Sequence, residues 1–322
     1  MKAKVILIFI ATLFSQITFG QTTEAEKNLR STRSDTTSGW KKGGVIGLGF
    51  SQASFSNWSS GGENSMSING LISVYANYKK GKSSCDNMLN VGYGLLKQGK
   101  KGGLIKTDDK IDFSSKFGRA ASKKWYYAAL INFITQMTPG YNYPDDSTKI
   151  SDLLAPAYLV GALGMDYKPN GHFSAFIAPL TIKNTIVNNA LLADAGAFGV
   201  DKATYDSAGV LLTHGKTMKS EFGGYIRLVY QSTFFKDKSV SLLSRLDLFS
   251  NYLHNPSNVD VSWENIIGFK VNKYISATIT THLLYDDDIK ISIDKNGDGI
   301  PEAIGPRTQF KEVIGIGFSY KF

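Results

Sequence analysis

Along most of the chain, apolar and polar residues alternate one for one. In 66–78, Met66, Ile68, Gly70, Ile72, Val74, Ala76 and Tyr78 fall on one side, with Ser67, Asn69, Ser73, Tyr75 and Asn77 on the other. In 222–231, Phe222, Ile226, Leu228 and Tyr230 oppose Glu221, Tyr225, Arg227 and Gln231. In 261–271, Val261, Trp263, Ile267, Phe269 and Val271 oppose Ser262, Glu264 and Lys270. Successive side chains of a strand point to opposite faces, so period two predicts strands with one apolar wall. Charges keep to one side of each run, as a wall facing hydrocarbon demands. The last run, "VIGIGFSYKF", carries Ile314, Ile316, Phe318, Tyr320 and Phe322 on one face and Gly315, Gly317, Ser319 and Lys321 on the other.

Twelve such runs are predicted, over 43–55, 65–78, 87–96, 108–118, 125–137, 156–167, 173–183, 219–233, 240–251, 259–271, 274–285 and 309–322. An even number is what single-chain bacterial membrane barrels use. The connections alternate in length. "KKGKSS" at 79–84, "RAASKK" at 119–124, "KPNGH" at 168–172, "FKDK" at 235–238 and "VNK" at 271–273 are short, while 97–107, 138–155, 184–218 and 286–308 are long. With both termini in the periplasm, the short set lies there and the long set outside, the asymmetry of outer-membrane barrels. The predicted fold is an all-β, antiparallel, up-and-down transmembrane barrel. A secreted β-sandwich shares the strand content but has no reason to keep this parity.

The N-terminus sharpens the address. "MKAKVILIFIATLFSQITFGQTT" places Lys2 and Lys4 before an apolar stretch from Val5 to Phe14, then small and polar residues. It reads as a secretory signal over 1–20, too short for a membrane helix. Residues 21–39, "QTTEAEKNLRSTRSDTTSG", lack apolar periodicity and read as a disordered periplasmic segment, leaving 40–322 as the barrel. Beyond the signal, no apolar run approaches the roughly 18 residues a membrane helix needs. The 32 Gly, 16 Tyr and 19 Phe fit an exported barrel. The 36 Lys and Arg against 27 Asp and Glu make the chain only moderately basic, and no nucleic-acid partner is expected. The lone Cys85 cannot form an intrachain disulfide and reads as a free thiol.

Two resemblances follow from these residues. The terminal series Ile314, Ile316, Phe318, Tyr320 and Phe322 resembles the recognition signal read by the barrel assembly machinery, which makes that machinery and outer-membrane lipid the expected partners. Five stretches resemble the DUF3078 family of outer-membrane proteins from Bacteroidetes: "KTDDKIDFSSKFG" at 106–118, "TQMTPGYNYPDD" at 135–146, "APAYLVGALGMDYKPNG" at 155–171, "LLSRLDLFSNYLHNPSNVDVSWE" at 242–264 and "LLYDDDIKI" at 283–291. The resemblance implies a barrel and an outer-membrane address, and it supplies no reaction, ligand or catalytic residue.

Candidate chemistry is sparse. His172 falls in a short turn and His214 in a long loop. His254 precedes Ser257 by three residues in "YLHNPSN", a spacing unlike the His-x-Ser-Asn of barrel phospholipases, and His282 alternates onto the polar face. A nucleophile needs a base within hydrogen-bond reach and an orienting carboxylate, and no catalytic residue is expected. Glu221, Arg227, Arg245, Asp247, Asp260, Glu264 and Lys270 carry both signs onto the inward face of neighbouring strands. They are read either as a lumen lining that selects solutes or as an ion-pair network filling the interior. In "IDKNGDGIPE", Asp294, Asn296 and Asp298 alternate before Gly299, with the Ile300 carbonyl and Glu302 as further oxygen donors. This resembles half of a calcium loop, and equally a solvated turn. The expected function is a non-enzymatic narrow channel or transporter for an unidentified solute, or a structural barrel. The rival is a lipid-acting barrel enzyme, marked by a His and a Ser adjacent on one outward rim. Calcium is the one candidate cofactor.

Overall fold

A strand whose two faces differ this sharply must bury one against protein and turn the other to a medium that accepts apolar atoms. A computed structural model describes residues 38–54, 64–99, 103–143, 145–235, 239–270, 272, 275–293 and 303–321. Twelve long strands are present: β1 (Gly39–Ala53), β2 (Ser65–Lys80), β3 (Ser83–Gln98), β4 (Leu104–Ala120), β5 (Trp125–Thr135), β6 (Ala157–Tyr167), β7 (Phe173–Ile186), β8 (Met218–Phe234), β9 (Val240–Asn251), β10 (Asp260–Lys270), β11 (Ile275–Tyr285) and β12 (Gln309–Lys321). Each pairs antiparallel with its neighbours in sequence. The first and last close the circle, Val45, Ile46, Gly47 and Leu48 pairing with Lys321, Tyr320, Ser319 and Phe318. This seam is four residue pairs long, shorter than the other pairings of the sheet, and it brings the first strand back to the last as a membrane-crossing sheet requires.

The wall is apolar outside, while its inner face carries buried polar and charged side chains together with apolar clusters. Leu163, Ile131 and Leu48 are 56%, 53% and 61% exposed on the outer face, joined by Phe50, Ile68, Ile72, Ile177 and Ile182. Ser67, Asn69, Ser73, Asn90, Asp112, Asn132, Asp166 and Glu264 are buried within. Aromatic pairs stand outward at both rims. Trp40 packs on Tyr78 (5.1 Å between ring centroids) and Trp125 on Tyr167 (4.8 Å) at the short-turn end, with Phe222 on Tyr252 (5.9 Å) at the other. Such girdles sit where hydrocarbon meets headgroups. This is the architecture of a transmembrane β-barrel.

Strand boundaries differ from those expected. β1 begins at 39 rather than 43, β3 spans 83–98 rather than 87–96, β4 spans 104–120 rather than 108–118, and β7 runs to 186 rather than 183. The added ends carry polar residues on both faces, such as Ser83, Ser84 and Asp86 of β3, so alternation no longer marks pairing that continues in the backbone. β5 instead stops at Thr135, short of the expected 137, where the Met137 and Thr138 amides donate to the Asp109 carboxylate (2.8 and 2.9 Å) in place of a strand partner. The turn between β2 and β3 shrinks to Gly81 and Lys82, with Gly81 at φ +56°, a conformation glycine adopts without strain.

The long connections contain structure of their own: hairpins pairing Gly140–Tyr141 with Lys149–Ser151, Thr204–Tyr205 with Leu211–Thr213, and Lys290–Ile293 with Ala303–Pro306, and a one-turn helix, Ala190–Asp194, capped by Asn189. Ala155, Val187, Leu192, Ala193 and Val200 form a small apolar core joining the 136–156 and 187–217 connections. The latter reaches across the mouth to the connection after β11. Gly199, at φ +81°, lies so close to Asp288 that a Cβ there would stand 2.9 Å from the Asp288 Cβ.

The signal segment and nearly all of 21–39 lie outside the described residues, as do Asp294, Asn296, Asp298, Ile300, Glu302 and Phe322. Ile314, Ile316, Phe318 and Tyr320 are placed by backbone register, opposite Ile279, Ala277, Leu48 and Ile46.

Candidate functional site

The interior is built strand by strand from the register. Arg227 of β8 lies opposite Asp247 of β9, Arg245 of β9 opposite Glu264 of β10, Glu264 opposite His282 of β11, and His282 opposite Lys311 of β12. Directly opposed residues share a face, so this row of charges follows from the alternation. Asp247 is its hub. Its Oδ1 accepts from Arg227 Nε (2.6 Å) and the Tyr225 hydroxyl (2.7 Å), and its Oδ2 lies 3.5 Å from Arg245 Nε. Arg245 also reaches Glu264 at 3.0 Å.

Arg245 does not stop at its own wall. Its guanidinium lies 3.8 Å from Asp112 of β4, and β5, β6, β7 and β8 separate the two strands along one side of the barrel. The remaining six strands separate them along the other, so the contact spans the lumen. Asp112 is 1% exposed and also takes Lys110 (3.4 Å) and Asn132 Nδ2 (2.9 Å). A second long contact runs from Lys311 of β12 to Asp108 of β4 (3.2 Å), past β1, β2 and β3.

These contacts divide the interior into unlike halves. On the β5–β9 side, Leu130, Phe176, Tyr225 and Phe249 pack with Ala128, Ala162 and Ala178 into an inward apolar cluster. Phe176 is 1% exposed, its ring edge against Tyr225. On β2 and β3 the inward face carries Ser67, Asn69, Ser73, Asn90, Gly92 and Gly94, with hydrogen bonds such as Ser73 Oγ to Asn90 Oδ1 (2.5 Å), alongside the larger Leu71, Tyr75 and Met88. Toward the short turns, Lys116 and Lys168 both hold Asp166, at 2.7 and 3.2 Å.

Toward the long loops, Lys183 lies among Asp260 (2.6 Å), Asp286 (3.2 Å) and Glu221 (3.4 Å), while Lys219 pairs with Asp288 and Asn258 with Asp287. Asp260, Asp286 and Asp287 bring carboxylate oxygens within 4.8 Å of one another, a spacing open to a metal ion. The Lys183 ammonium occupies that neighbourhood. Outside the strands, the Gly215 amide (2.7 Å) and the His214 ring (3.1 Å) hold the Asp194 carboxyl below the usual carboxylate range.

Of the residues singled out from sequence, Glu221, Arg227, Arg245, Asp247, Asp260 and Glu264 are brought together on the inward face, and Lys270 occupies an inward register position opposite Ser276. Sequence reading passed over Asp112, Lys116, Asp166 and Lys183, although their parity within the predicted strands already pointed them inward. Of the histidines, His172 Nδ1 meets the Gln231 carbonyl, and Ser257 Oγ donates to Asn255 rather than to His254. His282 Nε2 lies 2.9 Å from Ser262 Oγ, and both face the lumen rather than an outward rim.

Residues 50–141 match the family model described as "Protein of unknown function (DUF3078)". That span takes in the stretch at 106–118 and part of 135–146 on which the resemblance was read. No match is found among curated proteins. Among solved structures, the chain is similar to an outer-membrane channel from Pseudomonas putida F1, with 10% identity, 89% of this chain and 97% of that one covered, and a TM-score of 0.39. It is also similar to the translocator domain of the autotransporter NalP from Neisseria meningitidis, with 10% identity, 92% of each chain covered and a TM-score of 0.31. A third is the NanC porin, with 8% identity, 86% and 98% covered and a TM-score of 0.33.

Proposed function

We propose that this chain is exported to the bacterial outer membrane and serves there as a narrow, non-enzymatic channel for small polar solutes, constricted in the conformation described. The observation that carries this reading is the Arg245–Asp112 contact spanning the lumen, within an interior where inward charges run from the Lys116–Asp166 pair to the Lys183 cluster. A barrel filled only for stability gains little from such groups, since replacing buried ion pairs by well-packed apolar side chains is often neutral or stabilising. A polar lining instead offers a passing solute partners for the water it sheds. Twelve strands lie between filled barrels of eight and open porins of sixteen or more, which suits a restricted lumen. The Ser262–His282 contact faces away from lipid, which favours the channel over a lipid-acting enzyme.

Single-channel recording on the refolded protein in a planar bilayer tests this. The channel reading expects discrete openings of low conductance. A protein that inserts and seals the bilayer without conducting at any applied voltage would leave the structural barrel as the better account.

A further inference from the structure

The charges that meet around the lumen-spanning contact balance. Lys110, Arg227, Arg245 and Lys311 face Asp108, Asp112, Asp247 and Glu264, and four cations against four carboxylates leave no net sign. Arg245 alone in this set joins three of the carboxylates, at 3.0 Å (Glu264), 3.5 Å (Asp247) and 3.8 Å (Asp112). It reaches past four strands to meet Asp112, where Lys311 reaches past three to Asp108. The apolar cluster of Leu130, Phe176, Tyr225 and Phe249 occupies one side of this contact, so a polar solute is left with the side walled by β10–β12 and β1–β4, which the Lys311–Asp108 contact crosses in turn.

We infer that Arg245 and Asp112 form the constriction of the pore and that their balance of charge fixes its ion preference, an inference that rests on the channel reading above. With the pair intact, neither sign of ion meets a net charge at the narrowest level. Taking away the guanidinium leaves a carboxylate in excess and opens a passage for cations. Taking away the carboxylate leaves a cation in excess and opens a passage for anions. Field lines concentrate in a narrow polar path with low-dielectric walls, so one uncompensated charge there outweighs many at the rims.

The test compares wild type, Arg245→Met and Asp112→Asn in planar bilayers under a KCl gradient, with insertion checked by the shift in gel mobility between heated and unheated samples. Wild type is expected to conduct weakly with little preference between potassium and chloride. Both variants are expected to conduct several-fold more, with reversal potentials displaced in opposite directions, toward potassium for Arg245→Met and toward chloride for Asp112→Asn. Met keeps the apolar stem of Arg out to about the position of Nε and removes the guanidinium. Should it still fail to insert, Asp112→Asn alone must show the higher conductance and the chloride shift. Wild type conducting while both variants keep its conductance and reversal potential overturns the constriction and leaves the channel standing. Absence of conductance in all three, with insertion intact, overturns the channel itself. Displacement in the same direction in both variants would show that a change elsewhere in the lumen, and not this pair, sets the preference.

Discussion

Truncating Asp247 to Ala isolates what the interior network contributes to stability. Asp247 accepts from Arg227 Nε at 2.6 Å and from the Tyr225 hydroxyl at 2.7 Å, and lies 3.5 Å from Arg245. Arg245 keeps Glu264 and Asp112 after the change, so the loss falls on Arg227 and Tyr225. A hydrogen bond to a charged group is worth about 1.5–3 kcal/mol, and removing one partner of a buried pair costs about 3–5 kcal/mol. The Arg227 and Asp247 side chains keep 12% and 14% of their surface exposed, so some hydration softens the loss. The expected cost is therefore near the lower bound, about 3 kcal/mol, or about a hundredfold in the unfolding equilibrium. Urea titration in lipid vesicles, followed by tryptophan fluorescence, reads this as a lower midpoint at unchanged slope. The double variant Arg227→Met/Asp247→Leu should recover most of the loss, because it leaves no buried charge behind. An Asp247→Ala midpoint within about 0.5 kcal/mol of wild type, the range of ordinary surface changes, would refute the claim that these charges are paired in a poorly hydrated interior.

Further expectations follow from other parts of the molecule. Ile131→Arg puts a charge on the outer face and should cost about 2–4 kcal/mol near the bilayer midplane, whereas Ile131→Leu should be neutral; equal urea midpoints for the two would contradict the assigned face. Phe176→Ala, at a residue 1% exposed within the apolar cluster, should cost about 3–5 kcal/mol, and the same titration checks it. The Asp194 carboxyl is held below its ordinary range chiefly by the Gly215 amide, so its contribution to holding the 187–217 connection is fully present above the unfolded pKa of about 3.9 and is lost as pH falls through the folded value. Hydrogen exchange at Gly215 should be slow and unaffected by opening down to about pH 5, with protection falling below about pH 4; Asp194→Asn should remove most of that pH dependence. If the 294–302 loop binds calcium with the weak affinity of extracellular modules, about 10⁻⁴ to 10⁻³ M, calcium should slow its proteolysis in wild type and not in Asp294→Ala/Asp298→Ala.

The barrel was legible because its period was. In β2, β8 and β10 the expected outward sets and the observed ones coincide: Met66, Ile68 and Ile72; Phe222 and Tyr230; Trp263 and Phe269. Alternation fails where strands run beyond the apolar zone, which is why the ends of β3 and β4 were read as turn and loop. It is also silent inside the long connections, where strands of two to four residues are too short to show a period. The inward charges of β8, β9 and β10 could be read from sequence because neighbouring strands lie near one another in the chain. The meeting of Arg245 with Asp112 could not, since two residues so far apart face each other only once the number of strands and the closure of the barrel set which walls oppose. The parity of Lys183 already pointed it inward, but its partners did not show in the chain, Asp260 and Asp286 lying on and just beyond strands three and four places away.

The central claim, a membrane-spanning wall with lipid outside and a charged lumen inside, is tested most directly by walking a single spin label along β5 from 128 to 133 in a Cys85→Ser background. Residues 129, 131 and 133 should collide freely with oxygen dissolved in the lipid, while 128, 130 and 132, on the face of the buried Ala128, Leu130 and Asn132, should be shielded from it. An accessibility profile without period two, or one in which the lipid-facing set is 128, 130 and 132, would contradict the account.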